Sequence, residues 1–255
     1  MREREFCDGC RNGVRKTPEA LRAWLSEWNI RPEPLAHQRA ILDHVARYIG
    51  RYDGAVLGGS PGGNQVEVLM VRATKERPFH ALVTSGVSRH AMDPPAGAPP
   101  GRPRIEFVLL LPPEWRIGAE LSRSPKWTWP FRLLIELGRT IHRERWFVWC
   151  RHTYEVGDGP LVEGTSFRSL LFHHSCLLDP GFNDLELPDG EEIHFLSLWP
   201  LRPDELAFGR RSGPDRLLER LVGAGVTDVL DPDRPSIFRF GAGPARSSGA
   251  FPPAS

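Results

Sequence analysis

"RIEFVLLLPPEW", Arg104–Trp115, is the stretch whose reading decides the fold. Side chains alternate between the two sides of an extended chain. Ile105, Phe107 and Leu109 therefore share one side, and Glu106, Val108 and Leu110 the other. Nearly both sides are apolar, which places this strand at the centre of a sheet covered on both faces. Its one acid, Glu106, must be paired if it is buried. An arginine such as Arg104 or Arg168 on a neighbouring strand is the expected partner.

Working outward, "QVEVLMVRA" (65–73) and "FHALVTSG" (79–86) read as strands before it. After it, "WFVWC" (146–150) and "FRSLLFHH" (167–174) read as strands too. "DLELPDGEEIHFLSLWPL" (184–201) reads as a hairpin turning at Asp189-Gly190. Helical periodicity marks 17–28, 33–50, and "WTWPFRLLIELGRTIHRE" (127–144) with Leu133, Leu134, Leu137 and Ile141 inward. Two short helices follow at 202–211 and 213–225, the second with Leu217, Leu218, Leu221 and Val222 inward. Helices come first, then strands and helices mixed with hairpin-like neighbours. That order predicts an α+β fold with a mixed, largely antiparallel sheet flanked by helices. The expected organisation is a polar leader over 1–16, an N-terminal helix over 17–33, a domain over 34–240 and a Gly/Pro/Ser tail over 241–255.

The 255 residues carry 33 basic and 32 acidic side chains, a formal net charge of +1. That balance points to neither nucleic acid nor an anionic membrane as partner. No apolar run reaches the length of a membrane span, and "MREREFCDGCRNGVRK" lacks the apolar core of a signal peptide. Four cysteines do not make a disulfide framework in a chain of this length, so a reduced cytoplasmic protein is expected.

Chemistry has three candidate settings. Cys150 and His152 stand two apart, but on a regular strand that leaves ~7 Å between their Cβ atoms. A His-Thr pair at a strand end is better suited to bonding backbone and fixing a turn. His174 and Cys176 share a strand face, and with Cys150 and His152 they would make a Cys- or metal-dependent hydrolase. Cys7 and Cys10, in "CDGC", form half a zinc site. "GGSPGGNQ" lacks the spacing of a phosphate-binding loop. Of the eight tryptophans, most are expected in the core and Trp127 at the surface.

Several segments together carry a likeness. "LVTSGVSRHAM", the strand ending "LLLPPEW", Trp129-Pro130 opening a helix, "RHTYEVGDGP…TSFRSLLF" and "LPDGEEIHFLSLWPLRPDELAFGRRSGPDRLLERL" occur in order. From Pro34 to Ile237 the chain resembles the Suppressor of fused domain family, in its bacterial single-domain form. The resemblance implies a mixed α/β sandwich, no catalytic activity, no cofactor and a protein partner. The animal relative holds a short peptide as an added strand between this domain and a second lobe. Bacterial relatives imply an immunity protein that binds and neutralises a partner toxin. The binding surface is expected on the loops "TSGVSRHAMDPP" and "RHTYEVGDGP", through Ser85, Arg89, His90, Arg151, His152, Asp158 and Thr165.

Overall fold

The computed structural model describes residues 36–58, 65–96, 103–117, 125–155, 161 and 165–238. The leader, first helix and tail expected at 1–16, 17–33 and 241–255 lie outside them. The helices are α1 (Ala36–Tyr48), α2 (Pro125–Glu144), α3 (Pro203–Ser212) and α4 (Pro214–Gly223). The strands are β1 (Gly54–Gly58), β2 (Val66–Val71), β3 (His80–Ser85), β4 (Arg104–Leu111), β5 (Thr153–Glu155), β6 (Ser169–His173), β7 (Asp184–Glu186) and β8 (Glu192–Leu201). They form one sheet in the order β1-β2-β3-β4-β8-β6-β5, with β7 added to β8. Every strand pair is antiparallel except β4–β8, in which Arg104 lies opposite Ile193. The α+β class and the mixed, largely antiparallel sheet expected above are observed.

β4 is the centre of the sheet, and its alternation builds two cores. Ile105, Phe107 and Leu109 meet α2 through Leu134, Ile135, Leu137 and Ile141. Val108 and Leu110 meet α1 through Ile41, Leu42 and Val45, and Ile49 just beyond it. All of β4 after Arg104 is buried, as a strand apolar on both sides must be. A third cluster seats Leu206, Leu217 and Leu221 of α3 and α4 on Leu171, Trp199 and Leu201. Gly138 lets α2 come close, since a Cβ there would stand 2.8 Å from Val87 Cγ2. None of the described helices is long and apolar enough to cross a membrane.

Four local expectations change. "WFVWC" is not a strand. The chain leaves α2 and enters β5 through two left-handed residues, Arg145 (φ 52°) and Arg151 (φ 74°). Between them Val148 N donates to Met92 Sδ at 3.4 Å, not to a ladder. The run is apolar because it drapes over the α2-side core, not because it alternates. β1 was not anticipated: "GAVLG" is short, glycine-bounded and an edge. α2 starts before Trp129-Pro130, at Pro125, and takes Pro130 into its interior. Val222 is 52% exposed, so α4 buries a narrower stripe than its sequence pattern predicts.

Candidate protein-binding surface

The first expected loop is organised by Glu106. This carboxylate is 0% exposed, and among the described residues its hydrogen bonds come from amides and hydroxyls rather than from an arginine. It accepts from Gly86 N (2.9 Å), Ser88 N (3.0 Å), Ser88 Oγ (2.6 Å) and Thr84 Oγ1 (2.5 Å). A ring of amides and hydroxyls replaces the expected ion pair with Arg104 or Arg168 and satisfies the charge by charge-assisted hydrogen bonds. Gly86, at φ 121° and with a Cβ position 2.5 Å from Gln65 O, turns the chain out of β3. The 3-10 turn Val87–Arg89 follows. Arg104 spans it from outside, donating to Ser88 O and Arg89 O at 2.8 and 3.0 Å and pairing with Glu191.

On this turn Arg89 is half-buried, and His90 is exposed with its ring against His142 at 5.0 Å. The cationic neighbours of His90 add to its desolvation, and both hold its pKa down, burial foremost. Ser85 is a correction: it is wholly buried and cannot itself touch a partner. The second loop starts at Arg151, exposed and paired with Asp215 at 2.7 Å. His152 is exposed, and its Nδ1 accepts from Trp149 N at 3.2 Å. The imidazole thus fixes a turn, as expected of the His-Thr pair. Thr165 is half-buried, and Asp158 lies outside the described residues.

The two loops touch, though not through the residues expected to act. Arg145 pairs with Asp93 at 2.5 Å and Val148 N reaches Met92 Sδ, joining the 86–93 and 145–152 segments. Beyond them lies β5, which among the described residues pairs only with β6. Half-buried aromatics line this side. Trp146 meets Tyr154 at 5.3 Å, Phe147 stacks on Trp149 at 6.3 Å, and Trp149 abuts His194 at 4.6 Å. Trp115, Trp129 and Trp199 are buried in the core, and Trp146 and Trp149 are half-buried against it. Their place in a segment without strand alternation was the available signal. Trp127 is half-buried, between Arg116 and Lys126.

The thiols are set for structure. Cys150 bonds the backbone of His174, and burial pushes its pKa up. Cys176 Sγ donates to Asp228 Oδ1 at 3.1 Å while Ser197 Oγ donates to Oδ2 at 2.9 Å. Cys176 is exposed at the surface, yet partial desolvation and the Asp228 charge push its thiol up to about 12. A reactive cysteine needs the opposite environment. Among the described residues, Cys150, His152, His174 and Cys176 do not gather into a three-ligand cluster. Cys7 and Cys10 lie outside those residues.

A sheet edge with one strand neighbour among the described residues, beside half-buried aromatics, is the geometry by which a domain takes on an added strand. The family model for Suppressor of fused protein matches residues 62–235, more than half of the chain. The chain belongs to the Suppressor of fused family. Solved structures share its fold. The crystal structure of the Sufu-Fu complex matches at 17% identity and TM-score 0.58, covering 81% of this chain and 94% of that one. A Suppressor of fused homologue from Neisseria gonorrhoeae matches at 18% and 0.56, covering 80% and 98%. Drosophila Suppressor of Fused matches at 16% and 0.58, covering 82% of this chain and 52% of that one, so the match spans about half of the Drosophila chain. Comparison with curated proteins finds no match.

Proposed function

We propose that this domain is a non-enzymatic module that holds a segment of a partner protein along the open edge of β5. The observation that carries the reading is that edge, three residues with one strand neighbour among the described residues, beside Phe147, Trp149 and Tyr154. An edge strand offers unpaired backbone groups for strand addition, and flanking aromatics supply anchors. The polar contacts proposed with it are Arg151, His152 and Thr165 on the segments flanking β5 and, on the separate 86–90 turn, Arg89 and His90; Asp158 lies outside the described residues. Residues 34–240 are the binding unit. The relative named in the Sufu-Fu complex supports a protein partner. The finer reading is an immunity protein whose partner is a toxin domain, which rests on what the family resemblance implies for bacterial single-domain members. The free thiols of Cys150 and Cys176 suit a reducing, cytoplasmic compartment.

The test is co-expression with the protein encoded beside it, followed by affinity measurement. Wild-type chain restores growth and binds. Trp149→Ala with Tyr154→Asp, or Arg151→Glu alone, weakens both, and Cys150→Ser with Cys176→Ser changes neither. Rescue that survives the aromatic changes but is lost with the thiols would overturn the reading.

A further inference from the structure

His142, in the last turn of α2, reaches across to the 86–90 turn. Its Nε2 donates to Val87 O at 2.8 Å, so the neutral ring presents Nδ1 as a bare lone pair. That nitrogen is buried and has no hydrogen-bond partner among the described residues. The His90 ring stands edge-on to His142, with centroids 5.0 Å apart and planes at 90°. Val87 is 1% exposed and seated in the α2-side core, whereas His90 is exposed. The two rings thus join a fixed anchor to a residue with room to move.

Charge around the pair is one-sided. Burial first, and then His142, Arg104, Arg89 and Arg145, hold the His90 pKa below 6.5. His37 of α1 lines a cavity with His90 and adds positive charge in acid. The acids of the neighbouring elements are engaged. Asp93 pairs with Arg145, Glu191 with Arg104, and Glu106 accepts from Gly86 N and Ser88 N. On α2 itself Glu136 and Glu144 pair with Arg139 and Arg143. A proton on His142 Nδ1 is therefore a buried donor with no acceptor, and once His90 is charged as well it sets two imidazolium rings against each other.

We infer that the His90–His142 contact is an acid-released clasp, which lets residues 89–93 swing away from the end of α2 when both rings are protonated. Glu106 keeps Gly86 and Ser88 on β4, so the movement starts beyond them. Met92 reports that movement, because its N–H is bonded to Pro103 O at 2.9 Å and its Sδ accepts from Val148 N. The clasp lies outside the β5 edge and works without a partner. It goes beyond the strand-addition reading and is tested separately from it.

The experiment measures hydrogen exchange on the full chain at about pH 7.5 and about pH 5.5, which bracket the ordinary histidine value of ~6.5, with rates corrected for intrinsic exchange. The expected result is protection at Met92 that falls ~10-fold or more in acid, the equivalent of one unit of pKa. Protection across β4 should hold, which separates the clasp from global acid unfolding. His90→Asn and His142→Gln should each abolish the fall at Met92. The first changes an exposed side chain, and the second keeps a donor for Val87 O. Met92 protection that does not respond to acid, a fall that persists unchanged in His90→Asn, or an equal fall across β4 would overturn the proposal.

Discussion

Arg234 holds Glu205 with both ends of its guanidinium, Nη1 to Oε1 at 2.6 Å and Nη2 to Oε2 at 2.7 Å. Glu205 is wholly buried and also accepts from Arg202 N and Ile237 N. Arg234 further donates to Pro200 O, and both it and Arg202 lie against the Phe167 ring at 5.2 and 5.1 Å. This fork fastens the chain beyond α4 to the start of α3. Removing one partner of a buried pair leaves the other charge uncompensated. Arg234→Ala should cost about 3–5 kcal/mol in urea unfolding. Arg234→Met with Glu205→Leu should recover most of that loss. A single variant as stable as wild type would refute the assignment.

Glu106 makes a second prediction. Gly86 N and Ser88 N both donate to Oε1 while Oε2 takes Thr84 Oγ1 and Val87 N, so an amide side chain must set an NH2 donor against one of these two sets of donors. Glu106→Gln should destabilise the protein by roughly 1.5–3 kcal/mol, the usual worth of hydrogen bonds to a charged group. Hydrogen exchange at Gly86–Arg89 should rise with it. Unchanged protection there would show that the turn holds without the acid.

The third concerns acid. His80 Nδ1 accepts from Ala73 N at 2.9 Å, so Nε2 carries the proton that bonds Pro113 O at 3.0 Å. Burial is the main cause that lowers its pKa below 6.5, and the same holds for His44, stacked between Phe182 and Phe195. A group with a lowered folded pKa contributes stability that is complete above 6.5 and lost as pH falls through the folded value. The denaturation midpoint should therefore drop as pH falls below 6.5, less steeply in His80→Gln. Equal slopes for the two chains would remove His80 from the account.

Thiol chemistry supplies the fourth. With its pKa raised to about 12, Cys176 stays protonated at pH 8, and Cys150 is raised as well. Iodoacetamide should label both far more slowly in the folded chain than in urea. The raised Cys176 pKa also adds stability that is full below 9.0 and falls away as pH climbs toward 12. Fast labelling of either thiol in the native protein would reopen the hydrolase reading.

Much of this fold can be read from period-2 alternation. β2, β3 and β4 are its extreme case, since successive residues face opposite cores and nearly all are buried, so each reads as an almost continuous apolar run. Alternation fails where the chain is apolar without being paired. Trp146–Trp149 looks like a strand, yet two left-handed arginines set it across the core as coil. Ser85 reads both as the end of a strand and as the start of a polar loop, and the structure keeps it on the strand and buries it. Charge alone points Glu106 to an arginine, whereas backbone amides, which no residue identity announces, and the hydroxyls of Thr84 and Ser88 satisfy it. The aromatics beside β5 were legible as residues but not as a surface, since only their packing shows which edges stay open.

The parallel pairing of β4 with β8 has a consequence for synthesis. Arg104 must wait for Ile193 to emerge before that flank of the central strand is covered. At ~5–20 residues per second the ribosome leaves an apolar strand with one side bare for several seconds. The nascent chain is therefore most exposed to aggregation and to chaperones between β4 and β8. Mutations that weaken β8 should show first as lower yield from the cell, before they show as a lower melting temperature of whatever survives.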